Sequence, residues 1–131
     1  MKHLQIILTV TILLLAGVRP VLAQREIGLA EAVAAGEVII EIRGRDIAFT
    51  QPMLDISATN QTDSNLRLFV PLGLELESNN EAYANAIVAR DETIMIEAGQ
   101  TRQIGLVTYS RNLDRSFPDA NATFTVGEQE Y

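Results

Sequence analysis

Hydrophobic and polar residues alternate along most of residues 37–127, a repeat of two that is typical of half-buried β-strands. In the clearest run, Val38, Ile40 and Ile42 share one face, and charged residues such as Glu41 lie on the other. Turn signals rich in Gly, Pro, Asn and Asp separate the runs about every ten residues. The pattern predicts about seven short strands, at most eight, with no long helix between them, which favours an antiparallel β-sandwich.

Two neighbouring runs are predicted to pair as a hairpin. The first covers residues 53–59, with Leu54 and Ile56 pointing inward, and the second covers residues 66–70. The segment between them, residues 60–65, consists mainly of Asn, Asp, Ser and Thr, whose side chains hydrogen-bond their own backbone in turns. Two alternating runs around one turn are the usual signal of a hairpin.

The remaining runs complete the predicted β-domain. A strand over residues 93–97 is followed by a tight turn and a return strand over residues 101–110, and a last short strand covers residues 123–127. Residues 46–50 are predicted to continue the first strand. Residues 83–90 fit either a strand or one helical turn, because their alanines suit both.

The first 36 residues have a different character. A short basic start, an apolar run and a small residue at Ala23 predict a cleaved secretory signal peptide over residues 1–23. An uncleaved membrane anchor is the competing interpretation. Residues 24–36 are predicted to form a short helix that ends at Gly36, or an extended N-terminus. We therefore expect one β-sandwich domain over residues 37–127, followed by a polar tail at residues 128–131.

Composition removes most catalytic chemistry from the exported part. After Ala23 the chain contains no His, Cys, Lys or Trp. Ser-His-Asp and Cys-His catalysis need an imidazole base, Schiff-base catalysis needs Lys, and structural zinc normally uses Cys and His. An exported domain without Cys also has no disulfide framework and must be stabilised by its core.

The charge of the exported part is strongly negative. It carries 17 acidic residues against eight arginines, a net side-chain charge of −9. Such a surface repels nucleic acid and anionic lipid, so neither is an expected partner. After signal cleavage we expect no membrane span, because no other stretch is long and apolar enough.

Five segments carry a resemblance to a known type of domain. They are LAEAVAAGEV from Leu29, DISATNQT from Asp55, LFVPLG from Leu68, IEAGQTRQI from Ile96 and LVTYS from Leu106. Together they resemble Ig-like β-sandwich modules of uncharacterised bacterial envelope proteins. The resemblance implies a short helix before a sandwich and brings no catalytic residues with it. Its members often carry Cys after the tyrosine, where this chain has Ser110, so a metal or redox role at that point is in doubt.

The polar turn at residues 60–65 also offers a candidate metal site. Asn60, Asp63 and Asn65 would present oxygen ligands of the kind that calcium prefers. The segment does not match a full calcium-loop motif, and ordinary turn chemistry is the alternative explanation of the same residues. We expect no cofactor, with calcium as the one ion that the sequence leaves possible.

These observations favour an exported, non-enzymatic β-sandwich module. We expect it to bind a protein partner or to self-associate, in the cell envelope or outside the cell. A calcium-stabilised adhesion or matrix domain is the first alternative. A hydrolase that uses only carboxylates is the second, because Glu75 with Glu77 and Asp91 with Glu92 offer paired acids. An exposed strand edge is a further candidate surface, although the sequence does not reveal which edge is free.

Overall fold

The computed structural model describes residues 24–45 and 53–127, and within these ranges it contains nine strands and one short helix. The elements are β1 (Arg25–Gly28), α1 (Leu29–Ala34), β2 (Val38–Gly44), β3 (Met53–Asn60), β4 (Leu66–Val70), β5 (Glu75–Ser78), β6 (Ala86–Val88), β7 (Glu92–Ile96), β8 (Thr101–Ser110) and β9 (Thr123–Val126). The all-β class predicted from the sequence is confirmed. The expected signal peptide, the strand continuation at residues 46–50 and the polar tail lie outside the described residues.

Six strands close into an antiparallel barrel. Their order is β2-β3-β8-β6-β5-β9, and β9 closes the ring because it pairs with both β5 and β2. The longest ladders lie on either side of β3, which pairs with β2 from Asn60 to Leu54 and with β8 over almost its whole length. We call these six strands the barrel.

The other three strands form a separate sheet of order β1-β4-β7, which we call the open sheet. Strand β1 runs parallel to β4, with Arg25 opposite Leu66, and β7 runs antiparallel to β4, with Ile96 opposite Leu66. Within the described chain, β1 and β7 each pair on one side only.

The strand arrangement differs from the predicted seven-strand sandwich of two open sheets. Strand β9 joins two edges that a simple sandwich leaves separate, so one set of strands is closed. Strand β1 adds to the predicted number and is only four residues long, whereas β6 lies within residues 83–90, for which the sequence allowed either a strand or one helical turn. A run as short as β1 contains too few alternations to be recognised from the hydrophobic pattern.

The predicted hairpin between residues 53–59 and 66–70 is wrong. Strand β3 pairs with β2 and β8, whereas β4 pairs with β1 and β7. Residues 60–65 therefore carry the chain from the barrel to the open sheet. Residues 97–100 make a second crossing, from β7 back to β8. We call these two adjacent crossing segments the corner.

The alternating faces predicted from the sequence are confirmed in the core. Side chains from both the barrel and the open sheet meet in one buried cluster, which includes Ile42, Leu54, Ile56, Ala58, Leu66, Leu68, Val70, Ile94, Ile96 and Leu106. The sequence also alternates at Leu72, Leu74 and Leu76, and there the structure follows the pattern only in part, because Leu74 and Leu76 are buried but Leu72 is exposed. Burial of this apolar surface is the main force that holds the two sets of strands together.

The N-terminal segment begins with strand β1 and continues as the six-residue helix α1. Leu29 and Ala32 are the buried positions of α1 and pack into the core. Gly36 follows the helix with a φ of +69°, a conformation that glycine adopts without strain. No helix in the described part of the chain is long and apolar enough to cross a membrane.

Barrel closure depends on a close approach at Gly44. Its amide donates to the carbonyl of Ala122 (3.0 Å), next to the start of β9. A Cβ at this position would lie 2.1 Å from the carbonyl oxygen of Asp119, which is part of the backbone. Only glycine fits without moving the chain that leads into β9.

Candidate functional site

The structure places Asn60, a predicted calcium ligand, in the interior at the end of β3, where it is fully buried. Its Oδ1 accepts hydrogen bonds from the backbone amide (2.9 Å) and the hydroxyl (2.7 Å) of Thr62. Its Nδ2 donates to the carbonyl of Ser64 (2.7 Å) and to that of Ile96 (3.0 Å). The amide group is therefore fully occupied by bonds within the protein.

The other two predicted ligands lie on the same corner. Asn65 Oδ1 accepts a hydrogen bond from the amide of Ala98 (3.1 Å), so it ties one crossing segment to the other. Asp63 is exposed between them. Within residues 24–45 and 53–127, no group of three or more His, Cys, Asp or Glu residues is arranged to hold a metal ion. Calcium binding stays a prediction, and Asn60 and Asn65 would have to give up these bonds to take part in it.

The contacts of Asn60 show that it joins the barrel to the open sheet. Its own amide donates to the carbonyl of Gln100 (2.9 Å), and its carbonyl accepts from the amide of Gly99 (3.0 Å). Through these bonds and its Nδ2 it contacts both crossing segments at once. The sequence signal for such a role is an Asn at the end of an alternating strand with Thr two residues later, a pattern that turns also show.

Acidic residues outside the corner are likewise held within the protein. Asp119 accepts a hydrogen bond from the hydroxyl of Tyr83 (3.0 Å) and one from the amide of Asn121 (2.8 Å). Of the paired acids, Asp91 accepts from the amide of Leu72 (2.7 Å) and Glu92 accepts from Arg90 (2.8 Å). These carboxylates are partnered by structural contacts, which is the ordinary role of acidic residues in turns and at strand ends.

Arginines in the described chain are largely engaged with carboxylates. The pairs are Arg25–Glu37, Arg43–Glu41, Arg45–Asp55, Arg90–Glu92 and Arg111–Glu75. In the least exposed guanidinium, the hydrogen bond to Asp55 raises the pKa of Arg45 above its ordinary value. These pairs balance five of the eight arginines after Ala23 locally, and acidic residues outnumber the remaining arginines in that part of the chain.

The open sheet offers the clearest site for an interaction. In the barrel, every strand pairs on both sides, whereas β1 and β7 end the open sheet and have one unpaired side in the described structure. An unpaired strand edge presents a row of backbone donors and acceptors that another strand can bind. The sequence did not reveal this edge, because hydrophobic alternation gives the face of a residue and not the neighbour of a strand.

The hydrogen-bond pattern shows which backbone groups point out of the open sheet. The amide of Arg25 donates to the carbonyl of Asn65 (3.2 Å), so Asn65 directs its carbonyl toward β1. Successive residues of a strand point their amides and carbonyls to opposite sides. Arg67 and Phe69 therefore also face β1, and the intervening residues of β4 face β7.

The same reasoning applies to β7. Ile94 and Ile96 lie opposite Leu68 and Leu66, which face β7, so they direct their backbone groups toward β4. Thr93 and Met95 must then direct theirs away from the sheet. Both side chains are exposed, and 43% of the Met95 surface is accessible.

A second exposed surface lies in the loop of residues 111–122. Leu113 and Phe117 are 91% and 71% accessible. The loop is attached to the segment before β6, because the Ser116 amide donates to the carbonyl of Ala82 (3.1 Å). Large exposed apolar side chains are frequent at protein contacts, although two in one loop do not define a partner.

Comparison with protein-family models, with curated proteins and with solved structures finds no match to this chain.

Proposed function

We propose that this protein is an exported, non-enzymatic module that binds a protein partner by adding a strand of that partner to its open sheet. One observation carries the proposal. Every strand of the barrel is paired on both sides, whereas the open sheet ends in two strands whose outer sides are unpaired in the described structure. Strand addition of this kind gains affinity from main-chain hydrogen bonds and specificity from alternate side chains.

Composition supports the non-enzymatic part of the proposal. The residues after Ala23 lack the His, Cys and Lys that most covalent and acid–base mechanisms need. Carboxylate pairs remain, but Asp91 and Glu92 are held by Leu72 and Arg90. The predicted signal peptide supports a location in the cell envelope or outside the cell.

The resemblance to Ig-like envelope modules supports the same proposal. In a sandwich, two sheets pack face to face through inward side chains. Here Leu68 and Ile94 of the open sheet share one core with Ile56 and Leu106 of the barrel. We therefore regard the fold as a variant of an Ig-like sandwich in which β9 joins the outer strands.

The proposal is tested by capturing partners from the native envelope with the tagged protein, followed by hydrogen exchange on the captured complex. We expect a retained protein partner and new protection of amides in β1 or β7. The β3–β8 ladder, which is already paired, serves as the internal control and should be unchanged. Complete loss of partners, or protection confined to the loops, would contradict strand addition.

A further inference from the structure

The geometry points to β7, rather than β1, as the strand that receives the partner, and to an extended segment with an apolar centre and basic ends as the part that binds. This inference rests on the proposed function and adds to it the edge and the chemistry of the partner. It is carried by the direction of the backbone groups, by the way each edge strand is anchored, and by the charges at the ends of β7.

The outer side of β7 presents a regular set of hydrogen-bonding groups. Thr93 and Met95 each direct an amide and a carbonyl away from β4, as the ladder shows. Asp91 extends the same alternation at one end, whereas at the other end the carbonyl of Glu97 accepts a hydrogen bond from the amide of Gln100 (3.0 Å). A partner strand would meet two complete pairs of groups in the centre, which is the pattern that an extended peptide satisfies.

The outer side of β1 is less suited to the same role. It is four residues long, and its outward residues are Glu26 and Gly28. Gly28 immediately precedes α1, so the extended backbone ends there. Strand β7 continues into described folded chain at both ends, through residues 89–91 to β6 and through the corner to β8. A strand fixed at both ends loses little conformational freedom when a partner binds.

Features that usually protect an edge strand are missing from the centre of β7. Natural edges are often blocked by Pro, by inward or outward charges, or by bulges. From Thr93 to Ile96 the strand contains neither Pro nor Gly nor a charged residue. It combines β-branched residues with Met95, a composition that favours pairing with another strand.

Charge indicates the chemistry of the partner. Asp91 and Glu92 lie at one end of β7 and Glu97 at the other, and among these Glu92 is paired with Arg90. A second copy aligned antiparallel about Ile94 would place Asp91 opposite Glu97 at both ends, and like charges opposite each other destabilise a ladder. Each exported copy also carries a side-chain charge of −9. Both effects oppose self-pairing and favour a partner segment with Lys or Arg at its ends.

The test uses a labelled synthetic peptide with alternating Val and Thr in the centre and two Lys at each end. Binding to the purified protein is measured by fluorescence anisotropy. Thr93→Pro removes one outward amide but no bond to β4, because Pro is tolerated where the amide faces away from the sheet. The matched control is Glu26→Pro, which removes one outward amide from β1. Circular dichroism establishes that both variants are folded.

We expect Thr93→Pro to weaken binding by about tenfold or more and Glu26→Pro to leave it unchanged. A peptide with Glu in place of Lys should bind at least about tenfold more weakly. If only Glu26→Pro weakens binding, the choice of β7 is overturned but strand addition stands. If the peptide binds and neither proline matters, strand addition itself is wrong.

Two further outcomes would overturn the inference. The first is the absence of binding by the basic peptide while the native partner still protects β7 in hydrogen exchange. The second is a dimer in sedimentation that disappears in Thr93→Pro, because β7 would then pair with a second copy of the chain.

Discussion

The barrel and the open sheet share one hydrophobic core but differ in the pairing of their edges. In the barrel, four-residue β9 pairs with β2 on one side and β5 on the other, so that all six strands are paired twice. In the open sheet, the flanking strands β1 and β7 are paired once within the described chain. The difference shows that the burial of a sheet face and the pairing of its edge strands are separate properties. The short strand β9 determines the second property, because it closes the barrel.

The corner couples these two regions. The chain crosses between them twice, and Asn60 binds both crossings through its side chain and its backbone. Strand β3 pairs with β8, and β4, which follows β3, pairs with β7, which precedes β8. The four strands therefore form one two-stranded ribbon that bends at the corner. Changes that act on the closing strand, on the corner and on the open edge should consequently have effects of different size.

The largest effect is expected from Phe124→Ala, which acts on barrel closure. Phe124 is buried on β9, opposite Ile42 on one side and Ser78 on the other. Removing a buried aromatic ring should lower the free energy of unfolding by about 4 kcal/mol in urea denaturation. Thr125→Ala on the same strand is exposed and should change it by less than about 0.5 kcal/mol. Similar losses in both variants would show that β9 does not close the core.

Asn60→Ala should have the next largest effect, because it acts on the corner. The change leaves the Thr62 amide without its side-chain acceptor and removes the Nδ2 hydrogen bond to the Ile96 carbonyl, and we expect a loss of about 3 kcal/mol in the free energy of unfolding. The control is Asn79→Ala, which removes one exposed hydrogen bond to Thr123 and should cost less than about 1 kcal/mol. Equal effects would mean that Asn60 does not hold the crossings.

Gly44→Ala should destabilise the barrel by about 2 kcal/mol, because the new methyl group meets the backbone of Asp119. Gly28→Ala in the open sheet is the matched control. Its Cβ would have no neighbour within 4 Å, and its φ of −69° is compatible with alanine. We expect a change below about 1 kcal/mol there, measured by thermal unfolding. A tolerated Gly44→Ala would contradict the close approach that leads into β9.

The smallest effect is expected from calcium. Because Asn60 and Asn65 use their side-chain oxygens within the corner, millimolar calcium should shift the melting temperature by less than about one degree. The melting temperature measured with a chelator serves as the calcium-free reference. A rise of several degrees that disappears in Asp63→Asn would instead establish the calcium-stabilised domain.

The sequence predicts the faces of the strands better than their partners. Alternation correctly assigned Val38, Ile42, Leu54 and Ile56 to the interior, because a repeat of two determines the side of a strand directly. It failed at residues 60–65, where a polar segment that resembles a hairpin turn is a crossing between sheets.

The candidate site was predicted only in part for a related reason. The sequence indicates Asn60 for its side-chain oxygen, but in the structure its side chain also donates to the carbonyl of Ile96, which is 36 residues away in the sequence. The outer side of β7 is unpaired in the described structure because β9 closes the barrel and β7 is not one of the barrel strands. This pairing of distant strands is also a long-range property. Patterns in a single sequence report local preferences and not such distant pairings.

Native-state hydrogen exchange of the isolated protein tests the central claim most directly. The amides of Thr93 and Met95 should exchange rapidly, whereas those of Ile94 and Ile96, which bond to β4, should be protected. In the barrel, consecutive amides of β3 such as Ile56 and Ser57 should both be protected, because β3 is paired on both sides. Protection of Thr93 and Met95 equal to that of Ile94 would show that the outer side of β7 is already covered, and would contradict the account.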